Sequence, residues 1–352
     1  MVGSFVVSAV LTGVVRHWAV KVGFVSHPRQ DRFSLNIVPL GGGIAIFAAL
    51  ALAILSAAVI IKFFASAPAV ERLSSSFNIV PADVSAKIDQ LLIVLLCMAA
   101  LFVLGLWDDK KHLGPFLKLL IQFVIALIAA SFADVRVELF IQSRLLTTFL
   151  SAFWIVLIVN VFNFLDNMDG ACAGIAVIAS AILFTAAASS GQVFVGGIAL
   201  ILIGTLLGFL FFNFPPARIF AGDAGSLVIG FFVALITLRT TYYHQAQSGR
   251  WFAVFMPLIV MAVPLYDFVS VIFLRLRSGK SPFVGDTQHF SHRLKRRGLS
   301  DAQTVLVLYL ATLCTGLSAI FLSQVDSTGA VLIFLQTLMI LSIVAILEST
   351  SA

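Results

Sequence analysis

The sequence predicts an all-α polytopic membrane protein, on three observations. Of its 352 residues 61% are apolar and only 11% charged, with a mean hydropathy of +1.09, whereas a water-soluble domain carries about 25% charged residues. The apolar residues run in stretches of roughly 17 to 25, enough to cross about 30 Å of hydrocarbon as helices. The alternating segments of about 10 residues that mark transmembrane barrel strands do not occur. Once the spans are assigned, too little chain remains for a separate soluble domain. Residues 1–352 are therefore expected to form one integral-membrane unit.

Eleven spans follow in order, at about 2–15, 38–61, 90–107, 116–132, 145–165, 170–189, 193–212, 224–241, 252–274, 302–323 and 329–347. No basic residue precedes the short first span, which reads as a retained helix and not a cleaved signal peptide. The loop over about 62–89 is rich in Ser, Ala and Pro and reads as a solvated excursion. Cys97, Cys172 and Cys314 lie in apolar surroundings and are expected to pack as small residues without a disulfide. There is no internal repeat.

Basic residues orient the bundle, because positively charged loops stay in the cytoplasm. With the N-terminus outside, the inward loops hold 15 of the 22 Lys and Arg, among them Lys118, Arg218 and the Arg293 to Arg297 run. The expected topology is N-out and C-in. The net charge of +6 then gathers on the inner face, where it favours anionic head groups and polyanionic substrates.

The inward loops also carry the polar motifs. The second reads Trp107-Asp108-Asp109-Lys110-Lys111, followed by Lys118 and Gln122. Adjacent carboxylates beside lysines suit either a divalent cation or a proton, or else an acidic helix cap. The third holds Asn160, Asn163, Asp166 and Asp169, spaced by three and expected to form one polar stripe on a helix. Such a stripe between apolar spans is costly unless it faces a wet cavity or a ligand. In the fourth, Phe220-Ala221-Gly222-Asp223-Ala224-Gly225-Ser226 leads into a helix, with glycines that let backbone approach a ligand and Asp223 at a helix N-terminus. The fifth combines Asp286, His289, Ser291, His292 and Arg293, a phosphate-binding composition, with the run from Lys295 to Arg297 as a positive-inside anchor. Pro39-Leu40-Gly41-Gly42-Gly43 in the first loop suits tight helix packing.

The topology rests on Lys and Arg alone, yet it puts every one of these clusters on one face. Carboxylates for a hard cation, basic groups for phosphates and a bundle open to lipid imply phosphoryl transfer between a soluble nucleotide substrate and a lipid phosphate.

These residues resemble a known family. Asp108-Asp109 with Leu113, Pro115, Lys118 and Gln122, Asn163-x-x-Asp166-x-x-Asp169-Gly170, Phe220-x-Gly222-Asp223-x-Gly225-Ser226 and His289-x-x-His292-Arg293-Leu294 look like the successive signatures of the polyprenyl-phosphate N-acetylhexosamine-1-phosphate transferases, across a region of about 28–297. The resemblance implies a multi-pass enzyme of the bacterial inner membrane, its site facing the cytoplasm. Such an enzyme uses Mg2+, with Mn2+ as a substitute, to move a sugar phosphate from a UDP-N-acetylhexosamine to undecaprenyl phosphate, releasing UMP. Its partners would be those two substrates and membrane lipid, with no nucleic acid and with a homodimer as a compatible assembly. Carried over by motif, Asp108 would deprotonate or position the lipid phosphate and Asp109 would assist it. Asp223 would ligate the metal, with Asn163 and Asp166 at the metal and sugar-phosphate end. Asp169 and Phe220 would hold uracil, and Lys118, His289, His292 and Arg293 would meet phosphates.

The chain also departs from the family: Asn167 replaces a glycine common after the Asp166 position, Ser291 stands where many members have a third histidine, and in the first loop Pro28 and Arg32 match the family while His27 and Leu35 do not. Pro264-x-x-Asp267 and Ser281-Pro282-Phe283 look more like the N-acetylglucosamine-1-phosphate branch, which starts envelope glycans, than the muramoyl-pentapeptide branch. The CDP-alcohol phosphotransferase motif also opens with Asp-x-x-Asp-Gly, but Ala171-Cys172-Ala173-Gly174 does not continue it. A secondary transporter would bind near the midplane and tend to show repeats, unlike this chain.

Overall fold

The computed structural model describes residues 1–26, 37–64, 88–133, 135–137, 141–240, 242, 250–283 and 289–349. His27, Pro28, Arg29, Arg32, Leu35, Asp286 and most of the 62–89 loop lie outside these residues, as does the side chain of His292.

The chain is a bundle of helices: α1 (Val2–Val22), α2 (Gly42–Phe64), α3 (Ile88–Lys110), α4 (Pro115–Phe132), α5 (Arg144–Leu165), α6 (Ala171–Ser189), α7 (Val193–Asn213), α8 (Gly222–Arg239), α9 (Met256–Val260), α10 (Ala262–Arg277), α11 (Phe290–Arg296), α12 (Asp301–Ile320) and α13 (Ser327–Ser349). Among the described residues ten helices are long and apolar enough to cross a membrane, and the segment Trp251–Val260 joined to Ala262–Arg277 across a 63° bend makes an eleventh if the pair is taken as one span. The ninth expected span is thus broken, and the first runs on to Val22 instead of ending near residue 15. Two short strands, β1 (Val25–Ser26) and β2 (Val38–Pro39), pair antiparallel beside the start of α2.

Local sequence accounts for the helix ends. Gly23 closes α1 at φ 74, a left-handed conformation that glycine adopts without a Cβ penalty. Pro115 opens α4 at its first turn, where a missing N–H costs nothing, and a Ser300–Gln303 capping box opens α12. Leu96, Phe116 and Leu145 point outward and exposed, as side chains facing hydrocarbon do.

The centre is α8, buried along nearly all its length and packed on α2, α3, α5 and α6. Its neighbours approach through glycines. A Cβ on Gly105 would lie 2.5 Å from Ala224 Cα, and one on Gly230 2.7 Å from Val159 Cα. Gly42 N and Gly43 N donate to Phe220 O and Ala221 O, both at 2.9 Å, so the entrance of α2 is bonded to the entrance of α8. The glycines of the first loop therefore do serve close packing. Cys97 and Cys172 are buried free thiols, whereas Cys314 is exposed on α12.

Candidate active site

The connections α3–α4, α5–α6, α7–α8 and α10–α12 all fall at one end of the bundle, and they bring most of the motifs together. The turn 111–114 reverses the chain so that Lys118, one turn into α4, faces Asp108 at the end of α3. Lys118 Nζ lies 2.9 Å from Asp108 Oδ2, is hydrogen-bonded to Asp223 Oδ2, and lies 3.4 Å from Asn163 Oδ1. Asn163 Nδ2 donates to Asp223 Oδ1 at 3.1 Å and to Ser226 Oγ at 2.9 Å. Four helices thus meet at one ammonium group. The side chains of Lys118, Asp108 and Asp223 are 13%, 12% and 24% exposed, mostly out of water yet reachable. In that setting each charge depends on its partner, and deleting one leaves the other buried and uncompensated.

Asp109 does something else. Its Oδ1 accepts from Asp223 N at 2.9 Å and its Oδ2 from Ala224 N at 3.2 Å, so the carboxylate caps the N-terminus of α8 from a different helix. Gly222, at φ +67, lies so close that a Cβ there would sit 2.7 Å from Asp109 Oδ2. In this geometry Asp109 supports Asp223 by holding its backbone, where the motif alone suggested assistance to Asp108. One turn deeper than Lys118, Gln122 Oε1 accepts from Asn160 Nδ2 at 2.6 Å, forming a buried amide floor under the site.

The expected stripe from Asn160 to Asp169 does not continue as one helix face, because α5 stops at Leu165 with Asp166 at its C-cap. Asp169 lies in the following turn, and its Oδ2 accepts from Ala217 N at 2.9 Å. Gly170 N donates to Asn213 Oδ1 at 3.0 Å, Asn213 Nδ2 donates to Ile219 O at 2.8 Å, and Tyr309 Oη donates to Gly170 O at 2.6 Å. These bonds weld the 166–170 turn to the loop that precedes α8. Phe220 ends that loop at 7% exposure, its backbone bonded to Pro39 and Gly42, so its ring presents little surface for stacking in this conformation.

The fifth loop forms the short helix α11. His289 is 5% exposed, with Nδ1 3.1 Å from Asp267 Oδ2 and its ring edge-on to Phe164 at 5.6 Å. Ser291 Oγ donates to Asn167 Oδ1 at 2.7 Å, and Arg293 Nη2 donates to Ser270 Oγ at 2.8 Å. Lys295 pairs with Asp301 at 2.6 Å, which agrees with an anchoring role for the basic run. In the sequence Asp267 marks only the branch of the family that the chain resembles; a carboxylate inside an apolar span is the signal that it has a structural or functional partner. Beside α11 an apolar groove of about 840 Å3 opens between α10 and α13, lined by Tyr266, Val269, Phe273, Phe334 and Leu338, with Arg293 on its wall.

The arrangement of two carboxylates and an amide on one lysine suits charge-balanced handling of phosphates. The glycosyl transferase family 4 model matches residues 91–241. The chain is 30% identical to a probable undecaprenyl-phosphate N-acetylglucosaminyl 1-phosphate transferase of Bacillus subtilis (strain 168), over 98% of this chain and 91% of that protein. It is 31% identical to a decaprenyl-phosphate N-acetylglucosaminephosphotransferase of Mycobacterium tuberculosis (strain CDC 1551 / Oshkosh), over 85% of this chain and 76% of the relative. An undecaprenyl-phosphate alpha-N-acetylglucosaminyl 1-phosphate transferase of Yersinia pestis matches at 24% identity over 87% of this chain and 79% of its own length.

Proposed function

The chain belongs to glycosyl transferase family 4, and from that membership we propose that it transfers N-acetylglucosamine 1-phosphate from UDP-N-acetylglucosamine to undecaprenyl phosphate. An oxygen of the lipid phosphate attacks the β-phosphorus of the donor, the bond from that phosphorus to the bridging oxygen breaks, and UMP leaves. The products are UMP and a lipid-linked pyrophosphoryl sugar, the first membrane intermediate of an envelope glycan. The reaction takes place at the cytoplasmic face of the bacterial inner membrane, a placement supported by the concentration of Lys and Arg in the loops at the site's end.

The observation that carries this reading is the convergence of Asp108, Asp223 and Asn163 on Lys118. Asp108 is the acceptor for the lipid phosphate's proton or the group that orients it, and Lys118 favours the anionic forms of both carboxylate and phosphate. The same donor set suits Mg2+, since two carboxylates already hold a cationic ammonium between them. Mg2+ typically takes one or two carboxylates and fills its shell with phosphate oxygens and water. Among the described residues no three or more His, Cys, Asp and Glu side chains are gathered to hold a metal by themselves, so on this reading phosphate oxygens and water would complete the ion's shell. Asp223 and Asn163 would hold the ion, with Asp166 three residues beyond Asn163. The ion when bound would neutralise phosphate charge that the carboxylates otherwise repel. On this reading Asp169, on the turn beside the α8 loop, would meet the nucleotide and Arg293 and His289 the phosphate, and the apolar groove beside Arg293 supports accommodation of a polyprenyl chain.

The test is UMP release by the purified full-length protein given UDP-N-acetylglucosamine, undecaprenyl phosphate and Mg2+. Turnover that depends on the lipid acceptor is expected; no release with active relatives assayed alongside would overturn the reading.

A further inference from the structure

We propose that Asp267 is a positioning residue that fixes the ring of His289 for its phosphate contact, an inference that rests on the transferase reading above. Asp267 lies on α10, within the bent span, and is 2% exposed. A carboxylate there is costly unless both oxygens are satisfied. Both are, and both by the same short segment: Oδ2 lies 3.1 Å from His289 Nδ1, and Oδ1 accepts from Phe290 N at 2.6 Å. His289 occupies the N-cap position of α11 without capping it through its own side chain. The acceptor for the first helical N–H is supplied instead by α10, so one carboxylate orients both the helix and the histidine that precedes it.

Further contacts tie the ring to the transfer site. Phe164 lies edge-on to His289 at 5.6 Å, packs against Phe268 at 4.8 Å, and carries the Arg275 guanidinium 5.1 Å from its ring centroid. Phe164 is also the neighbour in sequence of Asn163, which bonds Asp223. His289 is therefore held between the carboxylate on α10 and the end of α5 that carries the transfer site. A carboxylate can only accept, so His289 Nδ1 must carry the shared proton, and any phosphate contact of this ring runs through Nε2. At metal-bound histidines, loss of the carboxylate that fixes tautomer and orientation costs roughly 10- to 100-fold, and a loss of that order is expected here.

The experiment is a double-mutant cycle on the full-length protein in detergent: wild type, Asp267→Asn, His289→Ala and the double variant. Each is assayed for UMP release over a range of UDP-N-acetylglucosamine concentrations and for thermal inactivation. Asn keeps an oxygen for Phe290 N while losing the group that fixes Nδ1–H. Asp267→Asn should lower kcat/KM by roughly 10- to 100-fold, and the double variant should be no worse than His289→Ala. Wild-type kcat/KM in Asp267→Asn, or losses that multiply in the double variant, would overturn the proposal. Should Asp267→Asn not fold, 15N-histidine NMR of the wild type, with His289 assigned by its loss in His289→Ala, gives an independent answer. A proton on Nδ1 is expected, and a neutral ring protonated on Nε2 overturns the proposal. Absence of UMP release by the wild type would instead sink the transferase reading.

Discussion

Ser291 donates its hydroxyl to Asn167 Oδ1 at 2.7 Å, joining two residues 124 positions apart in the chain. Both are positions at which the sequence departs from the pattern of the family it resembles, and they meet. Asn167 Nδ2 also donates to Phe164 O at 2.7 Å, closing the last turn of α5. The amide thus links the end of α5 to α11, and these two departures form one contact. Removing either partner should loosen α11 to the same extent. Ser291→Ala and Asn167→Ala are each expected to cost about 1 kcal/mol and to raise the KM for the UDP-sugar, with the double variant little worse than either single. A thermal and kinetic cycle checks this; additive losses would mean that the two residues act separately.

Asp108 and Asp109 are adjacent but should fail differently. Asp108→Asn removes one of the two carboxylates on Lys118, whose ammonium keeps its bond to Asp223, so turnover should fall by orders of magnitude while thermal stability falls less than turnover does. Asp109→Asn leaves one acceptor oxygen for two backbone N–H groups at the start of α8, and should cost about 1–2 kcal/mol of stability as well as activity. Comparing kcat with inactivation temperature for the two variants separates these outcomes, and identical profiles would show that both residues have one role.

Activity should vanish in excess EDTA and return with Mg2+ or Mn2+, because both substrates bring phosphate charge to a site that already holds Asp108 and Asp223. Full turnover in the chelator would exclude a metal requirement.

Gly105→Ala tests the packing of the central helix. The added methyl would meet Ala224 Cα at 2.5 Å, and overpacking of this kind costs about 1–3 kcal/mol. The start of α8, and Asp223 with it, should shift, so kcat falls although Gly105 has no functional group. Wild-type kinetics and stability would show that the helices can separate without disturbing the site.

For the donor, UDP-N-acetylglucosamine or a close UDP-N-acetylhexosamine should be used and UDP-N-acetylmuramoyl-pentapeptide should not. A donor panel with radiolabelled undecaprenyl phosphate decides this. Exclusive use of the pentapeptide donor would reverse the branch assignment while leaving the reaction class intact.

The sequence by itself determined that the chain is all-α with about eleven candidate membrane spans, ten of which are unbroken helices in the structure, and that its carboxylate, amide and histidine motifs share one end of the bundle. Hydropathy and span parity are properties of consecutive residues, so they survive without knowledge of packing. It also put Asp108, Lys118, Asn163 and Asp223 in one site, and the structure brings all four together. Only the tertiary structure decided that the ninth span bends by 63°, that α5 ends at Leu165 and so splits the Asn160–Asp169 stripe, and that Phe220 is buried. The same holds for the separate duties of Asp109 and Asp267, each of which spends both oxygens on another helix. A carboxylate's role depends on which donors lie within about 3 Å of it. Between helices that distance is set by small residues such as Gly43, Gly105 and Gly222, far from the carboxylate in sequence or silent in any local pattern.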